Sequence, residues 1–415
     1  MKTLFPSSIP YPWIIVSILW VSHTVYSLNY MTVGVLAPFI QPDLGLSAAQ
    51  IGLLCSAIAL GCMVIQIPSG VLSDRFGPKW VMALGLLFIG GAAISLSSVH
   101  SYMGAFSLLV LLGMGIGCNQ APGTKAIVAW FPSKGRATAM GFKQTGINMG
   151  AVLASILLPS IALQFNNWRI SFRVAGLASV FSAILLILFY KERQTPSLDS
   201  FRPLFSKKGA LFGRDFLLVC FAGVFLMASQ YSFSTYFLLY ATKILDLPIT
   251  HSGTLLALAF GAGAMARIGW GLVSDYLFGG RRKSVITLIG IIGAMTAFGF
   301  ILLKFHPLAW LIYSLTILFG LSGIGWNAIY LTMVGEFAGE SLAGIATSLS
   351  FLISNLGPLI GPPLFGYFID LTGGYALSWF FVAGCMVVVA LLTKIQRKER
   401  IEEDVRGPSR LAGLE

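Results

Sequence analysis

Long apolar runs separated by short polar punctuation fill most of this chain. Crossing about 30 Å of hydrocarbon takes about 20 apolar residues in a helix. Runs of that kind recur near 13–40, 50–72, 79–99, 103–129, 137–161, 170–190, 215–240, 252–274, 284–303, 308–335, 342–369 and 375–393. The pattern predicts twelve membrane-spanning helices. One long hydrophilic interruption, KERQTPSLDSFRPLFSKKGALFGR at 191–214, separates six spans from six. The expected organisation is a six-helix bundle over 1–190, a linker loop over 191–214, a second six-helix bundle over 215–394 and a polar tail over 395–415. The first run is too long for the apolar region of a cleavable leader and lacks a small-residue cleavage pattern after it.

Composition agrees, with 56% of residues hydrophobic and 10% charged. A soluble chain of this length carries about 25% charged residues. The net charge of +12 would suggest nucleic acid in a soluble protein. Here its placement is a topology signal. Alternate aqueous segments hold twenty Lys and Arg on one side and three on the other. Twelve spans put both termini on the same side, and the basic excess makes that side the cytoplasm. The expected location is the inner cell membrane, with lipid as surroundings and no nucleic-acid partner. All five cysteines fall inside apolar runs without metal-ligand spacing, so no metal or cofactor is expected.

The halves repeat one another. GIGCN at 115–119 returns as GIGWN at 323–327, an offset of 208. The stretch 51–74 aligns with 252–275 at an offset of 201, both ending in G-x-x-S-D, and Asn148-Met149-Gly150 matches Asn355-Leu356-Gly357 at 207. Small residues at helix contacts explain one such match but not three in register. Parallel repeats of this kind build transporters whose substrate sits between the halves near the midplane.

The loop after the second span reads Gly70-Val-Leu-Ser-Asp74-Arg75-Phe-Gly77-Pro-Lys79. It resembles the signature loop between helices 2 and 3 of the major facilitator superfamily. Span count, midpoint loop and repeat extend the resemblance over the whole chain. The resemblance implies that Asp74, Arg75 and Lys79, with Asp275 in the second copy, gate the conformational change. The second copy departs from the first, since Tyr276 replaces the arginine and residues are inserted before Arg281-Arg282-Lys283. It further implies a cavity lined by helices 1, 4, 7 and 10, where this chain offers Asn29, Tyr30, Asn119, Gln230, Tyr231, Asn327 and Tyr330. Within the superfamily, 121–132, 141–146, 266–275 and 323–331 look like bacterial organic-acid and small-anion porters.

Four basic residues fall inside spans: Lys125, Lys143, Arg173 and Arg267. A charge at bilayer depth costs at least ~2.5–3.5 kcal/mol and marks a cavity or a partner. Arg267 lies about 12 Å from its helix end and Lys143 about 10 Å from its own, at 1.5 Å per residue. Lys125 and Arg173 sit nearer the ends, within snorkelling reach of the headgroups. No Asp or Glu falls in the middle third of any span, so the embedded cations lack an acidic partner, and such a cavity attracts an anion. Candidate substrate contacts are Arg267, Lys143, Lys125 and the polar residues above, with Gln66 as the repeat partner of Arg267. His23 is the one deeply embedded group that titrates near neutral pH, hence the candidate for proton coupling.

The sequence therefore predicts a monomeric secondary transporter of a small organic anion, a carboxylate first. Phosphate esters, inorganic anions of the nitrate or cyanate type and multidrug efflux are the alternatives. A membrane enzyme is excluded because no metal cluster, Ser–His pair or phosphate loop is present in a suitable place.

Overall fold

A computed structural model describes residues 11–193, 213–338 and 343–396. Most of the 191–214 linker, the tail beyond 396 and Glu340 lie outside the described residues. Among the described residues, twelve helices have the length and apolarity to cross a membrane. In the first half they are α1 (Tyr11–Asp43), α2 (Ala48–Phe76), α3 (Pro78–Leu96), α4 (Tyr102–Trp130), α5 (Ser133–Gln164) and α6 (Trp168–Phe189). In the second they are α7 (Arg214–Lys243), α8 (Ile249–Leu277), α9 (Arg282–Leu302), α10 (Ala309–Phe337), α11 (Ala346–Thr372) and α12 (Ala376–Ile395).

Local chemistry sets the boundaries. Ser47 and Gln50 form a capping box at the start of α2, satisfying N–H groups that a helix start leaves unpaired. Gly77, at φ 82°, separates α2 from α3, and Pro78 opens the next helix at its first position. A side chain at Gly77 would be strained and would strike the Glu192 carboxylate. Gly373, in the left-handed region, ends α11.

The expected uniform spans at 308–335 and 342–369 are each interrupted. In α10 the helix widens into a π-turn at Gly320–Ile324 and restarts at Asn327. In α11 it breaks at Asn355. The glycines of 320–325 explain the first break, since they remove the side chains that enforce a regular turn.

Packing repeats between the halves. In the first, α1 packs on α5, α2 on α4, and α3 on α4 and α6; in the second, α7 packs on α11, α8 on α10, and α9 on α10 and α12. Glycines bring these pairs together. A Cβ at Gly113 would lie 2.1 Å from Ile58 O, and one at Gly61 would lie 2.0 Å from Val110 O. Both obstacles are backbone, which cannot swing aside. Gly113→Val is expected to overpack the α2–α4 contact by at least about 1–3 kcal/mol. The check is the apparent Tm of the purified protein, with Gly91→Val as control because nothing lies within 4 Å of its Cβ position. Equal Tm values for the two variants would refute the assignment.

The start of α1 at Tyr11 and the end of α12 at Ile395 lie on one face of the bundle, the terminal face, because twelve spans separate them; the opposite face is distal. The contacts between halves gather toward the distal face. The Asp370 carboxylate accepts from Ala48 N and Ala49 N at 2.8 Å each. Tyr236 Oη donates to Ala48 O, and Ser56 Oγ to Leu359 O at 2.6 Å. Gly34 packs on Ser234 and Thr235, and Gly253 on Ser155. Among the described residues, the cross-half hydrogen bond nearest the terminal face is Asn355 Nδ2 to Gln66 Oε1, at 3.2 Å. Beyond that level no hydrogen bond joins the halves among the described residues, and the exposed Gln120 and Thr124 and the half-buried Arg267, all inside spans, mark a cleft toward the terminal face.

Candidate functional site

The floor of the cleft is a tyrosine pair. Tyr30 of α1 and Tyr231 of α7 pack with ring centroids 5.0 Å apart. Beyond them, toward the distal face, the pair lines a small cavity with Gly34, Cys55, Thr235 and Pro362, and there α1 and α7 meet closely, a Cβ at Gly34 lying 2.8 Å from Ser234 O.

Arg267 stands on α8 with its guanidinium within electrostatic reach of the Tyr26 and Tyr231 hydroxyls. It is half-buried, and its Nε is enclosed with no hydrogen-bond partner. No described carboxylate pairs with it: the four ion pairs found involve Lys125, Arg169 and Arg282. Across the cleft, Tyr26 accepts a hydrogen bond from Gln120 Nε2 at 2.8 Å. Gln120 and Thr124, one turn apart on α4, are exposed although they lie inside a span; they face the cleft.

Behind Thr124 lies Lys143. It has no exposed surface, and its Nζ donates to Thr124 Oγ1 at 3.2 Å. His23, also fully buried, flanks the same spot: a Cβ built on Gly123 would sit 3.7 Å from both His23 Nε2 and Lys143 Nζ. His23 Nδ1 is 2.9 Å from Leu19 O. A carbonyl only accepts, so Nδ1 carries the hydrogen and Nε2 is left as a lone pair, with no partner of its own.

The structure places the other sequence candidates as follows. Lys125 Nζ is 2.6 Å from Asp74 Oδ1 and 2.9 Å from Ser73 O, because snorkelling carries it to the acid at the end of α2. Asn119 is fully buried against α3, donating to Gly115 O at 2.9 Å and lying beside Gly85. Asn29 turns to α6, where it donates to Ala175 O and Ser179 Oγ. Tyr330 is buried against Ser354 Oγ at 2.9 Å. Gln66 bonds Asn355. Asn327 is half-buried just past the α10 break, and Gln230 accepts from Trp326 Nε1. GIGCN and GIGWN are thus first of all packing devices: Gly117 abuts Cys62 of α2, and Gly325 abuts Ala266 of α8.

The gating candidates cluster at the terminal face. Besides Asp74–Lys125, Arg75 lies over Phe76 and Lys79 over Trp80. Burial pushes the Glu192 carboxyl above its usual range, opposed by the Lys79 backbone N–H and the charges of Lys79 and Lys125. In the second half Arg282 joins Asp275, Ser274 and Glu336, tying α8, α9 and α10 together.

Sequence reasoning missed Tyr26, Gln120 and Thr124. The signal was available, since His23, Tyr26 and Tyr30 fall three and four residues apart on one stripe of α1, and Gln120 and Thr124 share a face of α4.

Twelve helices in two repeated six-helix halves, with a half-buried cation between them, define a polytopic membrane transporter. The profile of the Major Facilitator Superfamily matches residues 19–357, and the chain belongs to that family. The family and its relatives are transporters, not enzymes. The chain is 26% identical over 400 residues to the hexuronate transporter of Bacillus subtilis, covering 92% of this chain and 93% of that one. It is 26% identical over 389 residues to the probable L-galactonate transporter of Escherichia coli, covering 86% and 82%. Its fold matches the crystal structure of a D-xylose–proton symporter with a TM-score of 0.78 at 14% identity, covering 94% of this chain and 99% of that one.

Proposed function

We propose that this transporter carries a small polyhydroxy carboxylate, a sugar acid, across the cytoplasmic membrane by alternating access. The observation that carries the reading is Arg267, a cation deep in a span with an unpartnered Nε and no paired acid among the described residues. A guanidinium fork fits a carboxylate through two parallel hydrogen bonds. Tyr26, Gln120 and Thr124 supply hydroxyl and amide groups of the kind that pair with substrate hydroxyls. Relatives named for hexuronate and L-galactonate favour sugar acids over phosphate esters or inorganic anions, which an arginine alone would also suit. The lack of an embedded acid argues against cationic drugs.

The terminal face carries the basic excess of the sequence, so it lies in the cytoplasm. The cleft described above then opens inward and is closed outward. One chain supplies both walls, so a monomer suffices for transport.

The test is thermal stabilisation of the purified protein by paired ligands: D-galacturonate against D-galactose, L-galactonate against galactitol, with glucose 6-phosphate, nitrate and a cationic dye alongside. A ligand at a hundredfold excess over its Kd stabilises by about 2.7 kcal/mol. The acids should raise Tm and their neutral counterparts should not. Stabilisation by galactose equal to that by galacturonate would sink the anion assignment; a response to the phosphate ester alone would move it to that class.

A further inference from the structure

Lys143 and His23 are the only Lys, Arg, His, Asp or Glu residues with no exposed surface among those described. The sequence suggests Lys143 as a substrate contact and His23 as the proton-coupling group; in the structure both are fully buried behind Thr124. Thr124 separates Lys143 from the cleft, so the amine does not touch a ligand lying there. Its one hydrogen-bond partner among the described residues is the Thr124 hydroxyl. From α1 it faces His23, whose ring centroid is 4.9 Å from that of Tyr26. From α8 the charged group is Arg267, on the far side of Tyr26. The two arginines of α6 are committed elsewhere, Arg169 to Asp43 and Arg173 to Ser97 Oγ. From α4, Lys125 is committed to Asp74. The enclosure therefore holds an amine and an unpartnered imidazole nitrogen, with no acid between them.

We propose that Lys143, held by Thr124 and backed by His23 Nε2, is the proton-binding site that couples transport to a proton gradient, one proton per substrate. The proposal rests on the sugar-acid reading above. A buried ammonium is costly without a counter-charge. In the empty cleft its charge would add to that of Arg267 with nothing to offset either. A carboxylate at Arg267 supplies the offset. Anion and proton then bind with positive coupling, each raising the affinity for the other. Charge balances over the step: one negative charge arrives with the substrate and one positive charge with the proton, so the loaded site carries the net charge of the empty one. Thr124 faces the cleft on one side and Lys143 on the other, which gives the proton a path through its hydroxyl. His23 is a positioning residue whose unpartnered Nε2 lies beside the amine, both atoms 3.7 Å from a Cβ built on Gly123.

The experiment uses purified full-length carrier in proteoliposomes, with the membrane potential clamped. The probes are radiolabelled D-glucuronate and L-galactonate. Wild type should accumulate its probe about tenfold per pH unit of gradient, acid outside, as one proton per monoanion requires. Lys143→Gln has no amine to load, and Lys143→Arg keeps a charge that does not leave. Both should bind the probe and exchange it in counterflow, yet show no gradient-driven accumulation. Accumulation at the wild-type ratio in either monodisperse variant overturns the proposal. So does loss of binding and counterflow in both monodisperse variants, since Lys143 would then be a substrate contact. If wild type moves neither probe, the sugar-acid reading itself has failed and takes this inference with it.

Discussion

Arg267→Met should abolish ligand-dependent stabilisation while leaving the ligand-free protein no less stable. The two halves of that expectation pull apart the possible roles of the residue. A structural arginine pairs with an acid or a carbonyl, so removing it strands the partner and lowers Tm. Arg267 has no paired acid among the described residues, and its Nε bonds nothing. Removing it strands no acid and deletes an uncompensated charge at depth. For the substrate the balance is reversed. Truncating one partner of a desolvated charge pair costs about 2–5 kcal/mol, or roughly 30- to 4,000-fold in affinity. Arg267→Lys keeps the charge and loses the fork, so it should fall between the two. The measurement is Tm with and without the sugar acid identified by the ligand panel. A drop in ligand-free Tm with the ligand response retained would make Arg267 a packing residue.

Asp370→Asn should loosen the distal closure. The Asp370 carboxylate reaches from the end of α11 to the first two N–H groups of α2, at 2.8 Å each. Those groups belong to a helix start, which carries partial positive charge and favours an anion. Hydrogen bonds to a charged group are worth about 1.5–3 kcal/mol, so replacing the acid should move the ratio of the two access states by roughly 10–100-fold. Ser56 offers the readout: it is buried at the α2–α11 contact and bonds Leu359 O in the present state. A Ser56→Cys reporter, with the five native cysteines replaced, should react with an impermeant thiol reagent from the distal side faster when Asp370→Asn is added. An unchanged rate would mean that the remaining distal contacts hold the closure without the carboxylate.

The fold was legible because bilayer thickness fixes span length and because the repeat is written in glycines whose contacts leave no room for a side chain, such as Gly117 and Gly325. The embedded cations were legible for a related reason: a charge inside a greasy run stands out whatever its neighbours. The polar lining was harder to read. Asn119 and Gln120 are adjacent in sequence and about 100° apart around the helix, so one faces α3 and the other the cleft. Repetition drew attention to Asn119, while the stripe of Gln120 and Thr124 marked the cleft. On α1 the same rotation sends Asn29 to α6 and leaves Tyr30 on the floor. The pairing of Lys125 depended on where Asp74 of another helix ends, a tertiary fact no single span contains.

The widened turn of α10 has a consequence for how a doubled gene comes to hold a lopsided molecule. A π-turn takes in about one more residue than an α-turn, so residues beyond Gly320–Ile324 are rotated by roughly 100° relative to an unbroken helix. Asn119 and Asn327 stay in letter-for-letter register at an offset of 208, yet they meet different surroundings. One is sealed against a neighbouring helix and the other is half-buried past the break. A two-fold symmetric pair of walls suits a symmetric cargo. A cargo with an acid at one end needs the symmetry broken, and one extra residue in one turn breaks it for every side chain downstream at once.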